Sequence, residues 1–83
     1  MKTRSGFEFD IDVAVLDDME LVDALAELDD NPLVFSKVIT MILGDDKKRL
    51  YDHIKKTRNS DRVSVTAMSE EIEDILNALN SKN

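Results

Sequence analysis

The sequence predicts a mainly α-helical protein: a small bundle of about four helices preceded by a short extended arm or strand. Three observations lead to this prediction. Apolar residues recur at helical spacing, capping residues stand before each such stretch, and only two glycines and one proline interrupt the 83 residues. The helices are predicted at residues 17–30, 32–43, 46–57 and 65–80, and the arm at 7–13.

The arm is predicted from an alternation of period two. Phe7, Phe9 and Ile11 alternate with acidic residues, which is typical of an extended segment with one apolar face. Because a single strand is not stable alone, we expect the arm to pair with another strand, to pair with the edge of a partner, or to pack on the helices.

The helix boundaries are predicted from capping residues. Glu20 stands three residues after the first cap, as in a capping box. Pro32 suits the first position of the second helix, and Gly44 suits the position just after its end. The predicted N-caps are Asp17, Asn31, Asp45 and Ser64.

Apolar content distinguishes the helices from one another. The second helix has an apolar arc of roughly 200°, with only Ser36, Lys37 and Thr40 as a clear polar strip. It is therefore predicted to be the central helix of the bundle. The third helix is basic and poor in apolar residues, whereas the fourth has a stripe about 100° wide.

Composition predicts a single intracellular domain covering residues 1–83, with flexible termini at 1–6 and 81–83. The chain contains no cysteine and no apolar run long enough for a signal peptide or a membrane span. The formal net charge of −7 disfavours nucleic acid and anionic membranes as main partners. We therefore expect a cytoplasmic protein that binds neither.

The charges are strongly segregated along the chain. Residues 8–30 carry ten carboxylates and no base, whereas Lys47 to Arg62 hold seven of the eleven Lys and Arg residues. Such complementary surfaces favour contacts with other proteins or between copies of the chain.

Catalytic and metal-binding patterns are weak. His53 is the only histidine and no cysteine is present, so a nucleophile–base pair has few candidates. A calcium loop counted from Asp10 would place Ala14, Val15 and Leu21 where an EF-hand needs Asp or Asn, Gly and Glu. We therefore predict a non-enzymatic protein without a cofactor or metal.

Eight residues are candidates for partner binding. On the second helix, Val34 and Met41 project about 80–100° from the centre of the apolar stripe. They either complete the core of the monomer or form an interface, and the same two alternatives apply to the aromatic residues of the arm. The candidate residues are Phe7, Phe9, Val34, Phe35, Val38, Met41, Lys48 and Arg49.

The order of these features resembles the small tail assembly chaperones of tailed phages and prophages of Gram-positive bacteria. The resemblance extends from about Phe7 to Leu79 and depends on overall pattern. Its parts are the acidic arm, the segment Leu16-Asp17-Asp18-Met19-Glu20-Leu21-Val22-Asp23-Ala24-Leu25, Asn31-Pro32-Leu33 before an apolar helix, Lys48-Arg49-Leu50-Tyr51-Asp52-His53, Val63-Ser64-Val65 and Ser69-Glu70-Glu71-Ile72.

The resemblance implies a mainly helical protein without enzymatic activity. It implies binding to the tape-measure protein, promotion of tail-tube polymerisation, self-association, and absence from the finished virion. A long helical client would need an apolar groove rimmed by charge. We expect the second helix and the arm to supply that groove, and the acidic and basic segments to support head-to-tail contacts.

Two other functions remain open. The acidic first helix could occupy a basic site as an inhibitor, or as a DNA mimic if its carboxylates have phosphate-like spacing. Competition by duplex DNA for the target would identify a mimic. A generic protein–protein adaptor is the other alternative, and failure to solubilise a tape-measure fragment would favour it.

Overall fold

The structure, a computed structural model, describes residues 1–80, and four α-helices dominate this part of the chain. Helix α1 spans Met19–Leu28, α2 spans Phe35–Leu43, α3 spans Asp46–Arg58 and α4 spans Val65–Asn80. Short 3-10 turns at Val13–Leu16 and Pro32–Val34 precede α1 and α2. The predicted mainly helical fold is confirmed, and the bounds of α4 agree with the predicted 65–80.

The start of α1 differs from the prediction. The side chain of Asp12 accepts a hydrogen bond from Ala14 N, and the 3-10 turn that follows is closed by Asp17 N donating to Ala14 O. Asp17 therefore ends this turn, and Asp18 caps the helix by accepting from Glu20 N at 2.9 Å. The helix also stops at Leu28, two residues earlier than predicted.

Of the other three predicted N-caps, two form a side-chain hydrogen bond to the backbone and one does not. Asn31 accepts from Leu33 N, and Ser64 accepts from Ala67 N, as the sequence predicts. Asp45 makes no side-chain cap hydrogen bond. Gly44 ends α2 with φ 55° and ψ −127° and joins it directly to α3, a conformation that side chains of L-residues disfavour.

The arm pairs within the chain. Residues 1–9 form a tight hairpin with an antiparallel bridge between Lys2 and Glu8. Thr3 N donates to Phe7 O and Phe9 N donates to Met1 O, while Gly6 turns the chain at φ 93°. Residues 1–6, predicted as a flexible terminus, thus contact the rest of the protein, whereas the prediction for 81–83 lies outside the described residues.

The core is formed by the hairpin and all four helices. Helix α2 packs against α1 and α3 and contributes four buried residues, in agreement with its predicted central position. The core residues are Phe7, Phe9, Leu21, Ala24, Val38, Ile39, Ile42, Leu43, Leu50, Ile54, Ala67, Met68, Ile72, Ile75 and Leu79. Within residues 1–80, none of the helices combines the length and the apolar character that crossing a membrane requires.

Candidate docking surface

An apolar cleft opens where α2, α3 and the start of α4 meet. Its volume is about 490 Å³, a size typical of ligand or side-chain binding pockets. Nearly all of its lining is apolar: Pro32, Leu33, Phe35, Ser36, Ile39, Tyr51, Val63, Val65 and Met68. We call this feature the α2–α4 cleft.

Two side chains at the mouth of the α2–α4 cleft are left in water. Leu33 is 87% exposed and Val65 is 71% exposed, whereas Ile39 and Met68 are buried. Leu33 is exposed because it lies in the 3-10 turn that starts at Pro32, before α2 begins. Val65 is the first residue of α4. These two side chains gain the most from a partner that covers them.

The α3 side of the cleft is basic. Lys47 donates from Nζ to Ser36 Oγ at 2.9 Å and to Thr40 Oγ1 at 3.0 Å, and it lies 5.8 Å from the centre of the Tyr51 ring. These contacts fix a positive charge beside Ser36 and Tyr51, two residues of the cleft lining. A partner with acidic groups beside its apolar residues would therefore be favoured.

The predicted partner-binding residues divide into two groups in the structure. Phe35 lines the α2–α4 cleft, Val34 and Met41 are half-buried, and Lys48 is exposed. Phe7, Phe9 and Val38 lie in the core, so they are not available on the surface of this structure. The hairpin therefore forms no part of the groove that the sequence predicted, because its aromatic rings pack inward.

Arg49 is already engaged within the chain. Its guanidinium lies 4.4 Å from the centre of the Phe7 ring, and its Nε is 3.5 Å from Asp46 Oδ1. It covers the buried aromatic ring of the hairpin, which is a common arrangement of arginine and an aromatic side chain.

Leu33, Tyr51 and Val65 are not among the eight residues that the sequence pattern predicts for partner binding. The pattern counts Leu33 in the apolar arc of the second helix, Tyr51 among the few apolar residues of the third, and Val65 in the stripe of the fourth. The available signal was that Leu33 and Val65 directly follow a helix start, where an apolar side chain has no preceding turn to pack on.

A second, smaller cleft lies on the other side of Phe35. Its volume is about 400 Å³, and Leu25, Leu28, Val38, Ile72 and Leu76 are among its lining residues. Unlike the α2–α4 cleft, its lining includes none of the large apolar side chains that are exposed in residues 1–80.

A polar network attaches the hairpin to α3 and α4. Glu71 is buried, at 6% exposure, and its Oε1 accepts from Thr3 Oγ1 at 2.7 Å and from Ser5 Oγ at 2.9 Å. Ser5 Oγ also lies 3.0 Å from His53 Nε2. Since the Ser5 hydroxyl proton is directed at Glu71, an Nε2–H group of His53 completes the chain of hydrogen bonds.

The same three residue types form hydrolytic triads elsewhere, but in a different order. In a triad the acid orients the histidine, which in turn accepts the proton of the serine. Here the acid accepts directly from Ser5, and across residues 1–80 we find no hydrogen bond to His53 Nδ1. The arrangement therefore fits attachment of the hairpin.

An ion pair strengthens the attachment at its edge. Arg4 donates from Nε and from its backbone N to the carboxylate of Asp74, with distances of 2.9 to 3.1 Å. These hydrogen bonds lower the pKa of Asp74 below its ordinary value and raise the pKa of Arg4. In the described part of the chain, no group of three or more acids and histidines has the arrangement of a metal site.

Comparisons with known proteins find no relative of this chain: no family model, no curated protein and no solved structure matches it. The resemblance to tail assembly chaperones therefore remains a prediction.

Proposed function

We propose that the protein is a non-enzymatic tail assembly chaperone of a phage or prophage. In this proposal it acts in the cytoplasm of the host, binds the tape-measure protein and promotes assembly of the tail tube around it. The observation that supports the proposal best is the α2–α4 cleft, with Leu33 and Val65 exposed at its mouth. The segregated charges and the resemblance of the sequence pattern are the further support.

The cleft suits a helical client. An amphipathic helix binds such a groove by inserting apolar residues from one face. Covering an exposed Leu or Val releases about 1.5–3 kcal/mol each, and the loss of free motion on association removes most of that gain. One copy therefore holds one turn or two of the client weakly, and a long client is coated by many copies that each bind it weakly.

Weak individual contacts also agree with release before the virion is complete. Each copy exchanges independently, so growth of the tube can displace the copies one after another. The net charge of −7 keeps a coated client soluble through repulsion between complexes.

The test is coexpression of the full chain with an aggregation-prone fragment of the tape-measure protein from the same locus. The measurement is the fraction of the fragment that remains soluble. Wild type should keep it soluble, and Leu33→Glu should lower the soluble fraction several-fold. The matched control is Val13→Glu, because Val13 is also exposed but lies outside the α2–α4 cleft.

Two results would contradict the proposal in different ways. If wild type does not keep the fragment soluble, the chaperone function is wrong and an adaptor is favoured. If Leu33→Glu acts like wild type while the fragment stays soluble, the client binds somewhere other than the cleft. Circular dichroism of each variant establishes that the helices are intact.

A further inference from the structure

Helix α1 carries an exposed apolar ridge flanked by acids. Met19 is 68% exposed and Val22 is 47% exposed, and Ala26 is also exposed. At 100° per residue these three lie on one side of the helix, opposite the buried Leu21 and Ala24. The exposed acids Asp18, Asp23 and Glu27 border the ridge.

The α2–α4 cleft has the complementary character. Its mouth is apolar, and Lys47 is fixed beside it by Ser36 and Thr40. Lys55 follows the cleft residue Tyr51 by one helical turn, and Arg62 immediately precedes the cleft residue Val63. None of these three cations takes part in an ion pair with another residue of the range 1–80.

The ridge and the cleft of one molecule cannot meet. Helix α1 packs its opposite face against the protein, where it contacts α2, and α2 itself forms one wall of the cleft. The ridge therefore points away from its own cleft. The surface that complements the cleft in apolar character and in charge is therefore the ridge of another copy.

We propose that α1 of one copy docks by its Met19–Val22–Ala26 ridge in the α2–α4 cleft of a second copy. The donor supplies acids at the border of the ridge, and the acceptor supplies Lys47, Lys55 and Arg62. Because the two surfaces differ, the contact is head-to-tail and leaves a free cleft and a free ridge at the ends of every assembly. One short helix buries less than the ~1,200 Å² of a stable interface, so the contact is weak and is weakened further by salt.

One consequence rests on the proposed function. A client helix and a neighbouring copy would compete for the same cleft, so self-association would hold the protein in reserve until the client appears. The self-association itself does not depend on that function, and it is measured on the protein alone.

The experiment uses three single substitutions and analytical ultracentrifugation of the full chain over a range of concentrations. Val22→Glu alters the ridge, Leu33→Glu alters the cleft, and Val13→Glu is the control. Wild type and Val13→Glu should increase in mean mass with concentration, and the mass should fall as salt is added. Val22→Glu and Leu33→Glu should each remain monomeric in the same range.

The decisive sample is an equimolar mixture of the two monomeric variants. Leu33→Glu retains an intact ridge and Val22→Glu retains an intact cleft, so the two should form a one-to-one dimer. Growth should stop there, because the remaining ridge and cleft are both altered. A mixture that stays monomeric, or a wild-type chain that is monomeric at low salt and high concentration, would overturn the proposal.

The two proposals fail separately. Val22→Glu should still keep the tape-measure fragment soluble, since its cleft is intact, whereas Leu33→Glu should lose both activities. Wild type that associates but does not solubilise the fragment contradicts only the proposed function. Wild type that solubilises the fragment but never associates contradicts only the docking of α1.

Discussion

The N-terminal hairpin and the α2–α4 cleft are two apolar features of one small domain with opposite exposure. In the hairpin, the rings of Phe7 and Phe9 are within the core, at 2% and 3% exposure. In the cleft, Leu33 and Val65 extend into water. Both regions lie next to basic residues of α3, so nearby charge does not explain the difference.

The difference lies in what the chain supplies to close each region. The hairpin has a backbone partner in residues 1–3 and a polar attachment at Glu71 and Asp74, which together fix it over the core. No segment within residues 1–80 covers the cleft. A region that the chain closes contributes to stability, whereas a region that it leaves open is available for a partner.

The largest difference between the hairpin and the cleft is expected in the free energy of unfolding when one residue of each is truncated to alanine. Phe7→Ala should lower the free energy of unfolding by about 3–5 kcal/mol, because it removes a buried ring and leaves a cavity. Leu33→Ala should change it by less than about 0.5 kcal/mol, as expected for a surface position. Urea denaturation of the two variants measures the difference, and similar losses would mean that the cleft is part of the stabilising core.

A smaller contrast is expected between two adjacent glutamates of α4. Glu71→Ala should lower the free energy of unfolding by about 1–3 kcal/mol, because the hydroxyls of Thr3 and Ser5 lose their buried acceptor. Glu70→Ala is the matched control: it removes only an exposed pair with Arg58 at 3.5 Å, worth about 0–1 kcal/mol. Hydrogen exchange at Thr3 and Phe9 should accelerate in the first variant alone, and unchanged exchange would mean that Glu71 does not hold the hairpin.

The smallest effect concerns the edge of the attachment and depends on pH. Because the pKa of Asp74 is lowered in the folded protein, its contribution to stability is present above the ordinary aspartate pKa of about 3.9. It is lost as the pH falls below that value through the pKa of the folded state. Asp74→Asn should therefore be less stable than wild type at neutral pH, and the two should converge in acid.

Thermal unfolding of both proteins between neutral and acidic pH measures this convergence. A constant difference at every pH would mean that the ion pair with Arg4 does not contribute through the charge of Asp74.

The parts of the fold that sequence predicts well are those decided by local interactions. Asn31 caps the 3-10 turn that leads into α2, and Ser64 caps α4. Both interact with backbone groups two or three positions away, so spacing along the chain is enough to find them. The N-cap of α1 differs from the prediction by one residue, Asp18 in place of Asp17, because both are good caps. The choice between them depends on the 3-10 turn that Asp12 starts.

The parts that sequence does not predict depend on distant residues. Residues 1–6 are held by Glu71 and Asp74, about seventy positions away, and no local pattern connects them. The burial of Phe7 and Phe9 follows from that attachment. In the same way, the exposure of Leu33 depends on the 3-10 winding of its turn, since a regular helical start would direct the side chain differently. The candidate cleft could therefore be predicted only through Phe35.

The backbone conformation of Gly44, which links α2 to α3, favours one chirality over the other. The angles of Gly44 are close to the mirror image of the extended and polyproline conformations that L-residues adopt readily. Apart from the glycine and its two chain neighbours, no atom lies within 4 Å of the position that a Cβ would occupy there, so only the local backbone conformation opposes a side chain. A D-alanine at this position would adopt the conformation freely, whereas an L-alanine would tend to turn α3 away from α2. Ile39 of α2 and Tyr51 of α3 both line the cleft. Their relative positions thus depend on the Cα of Gly44, which is not a stereocentre.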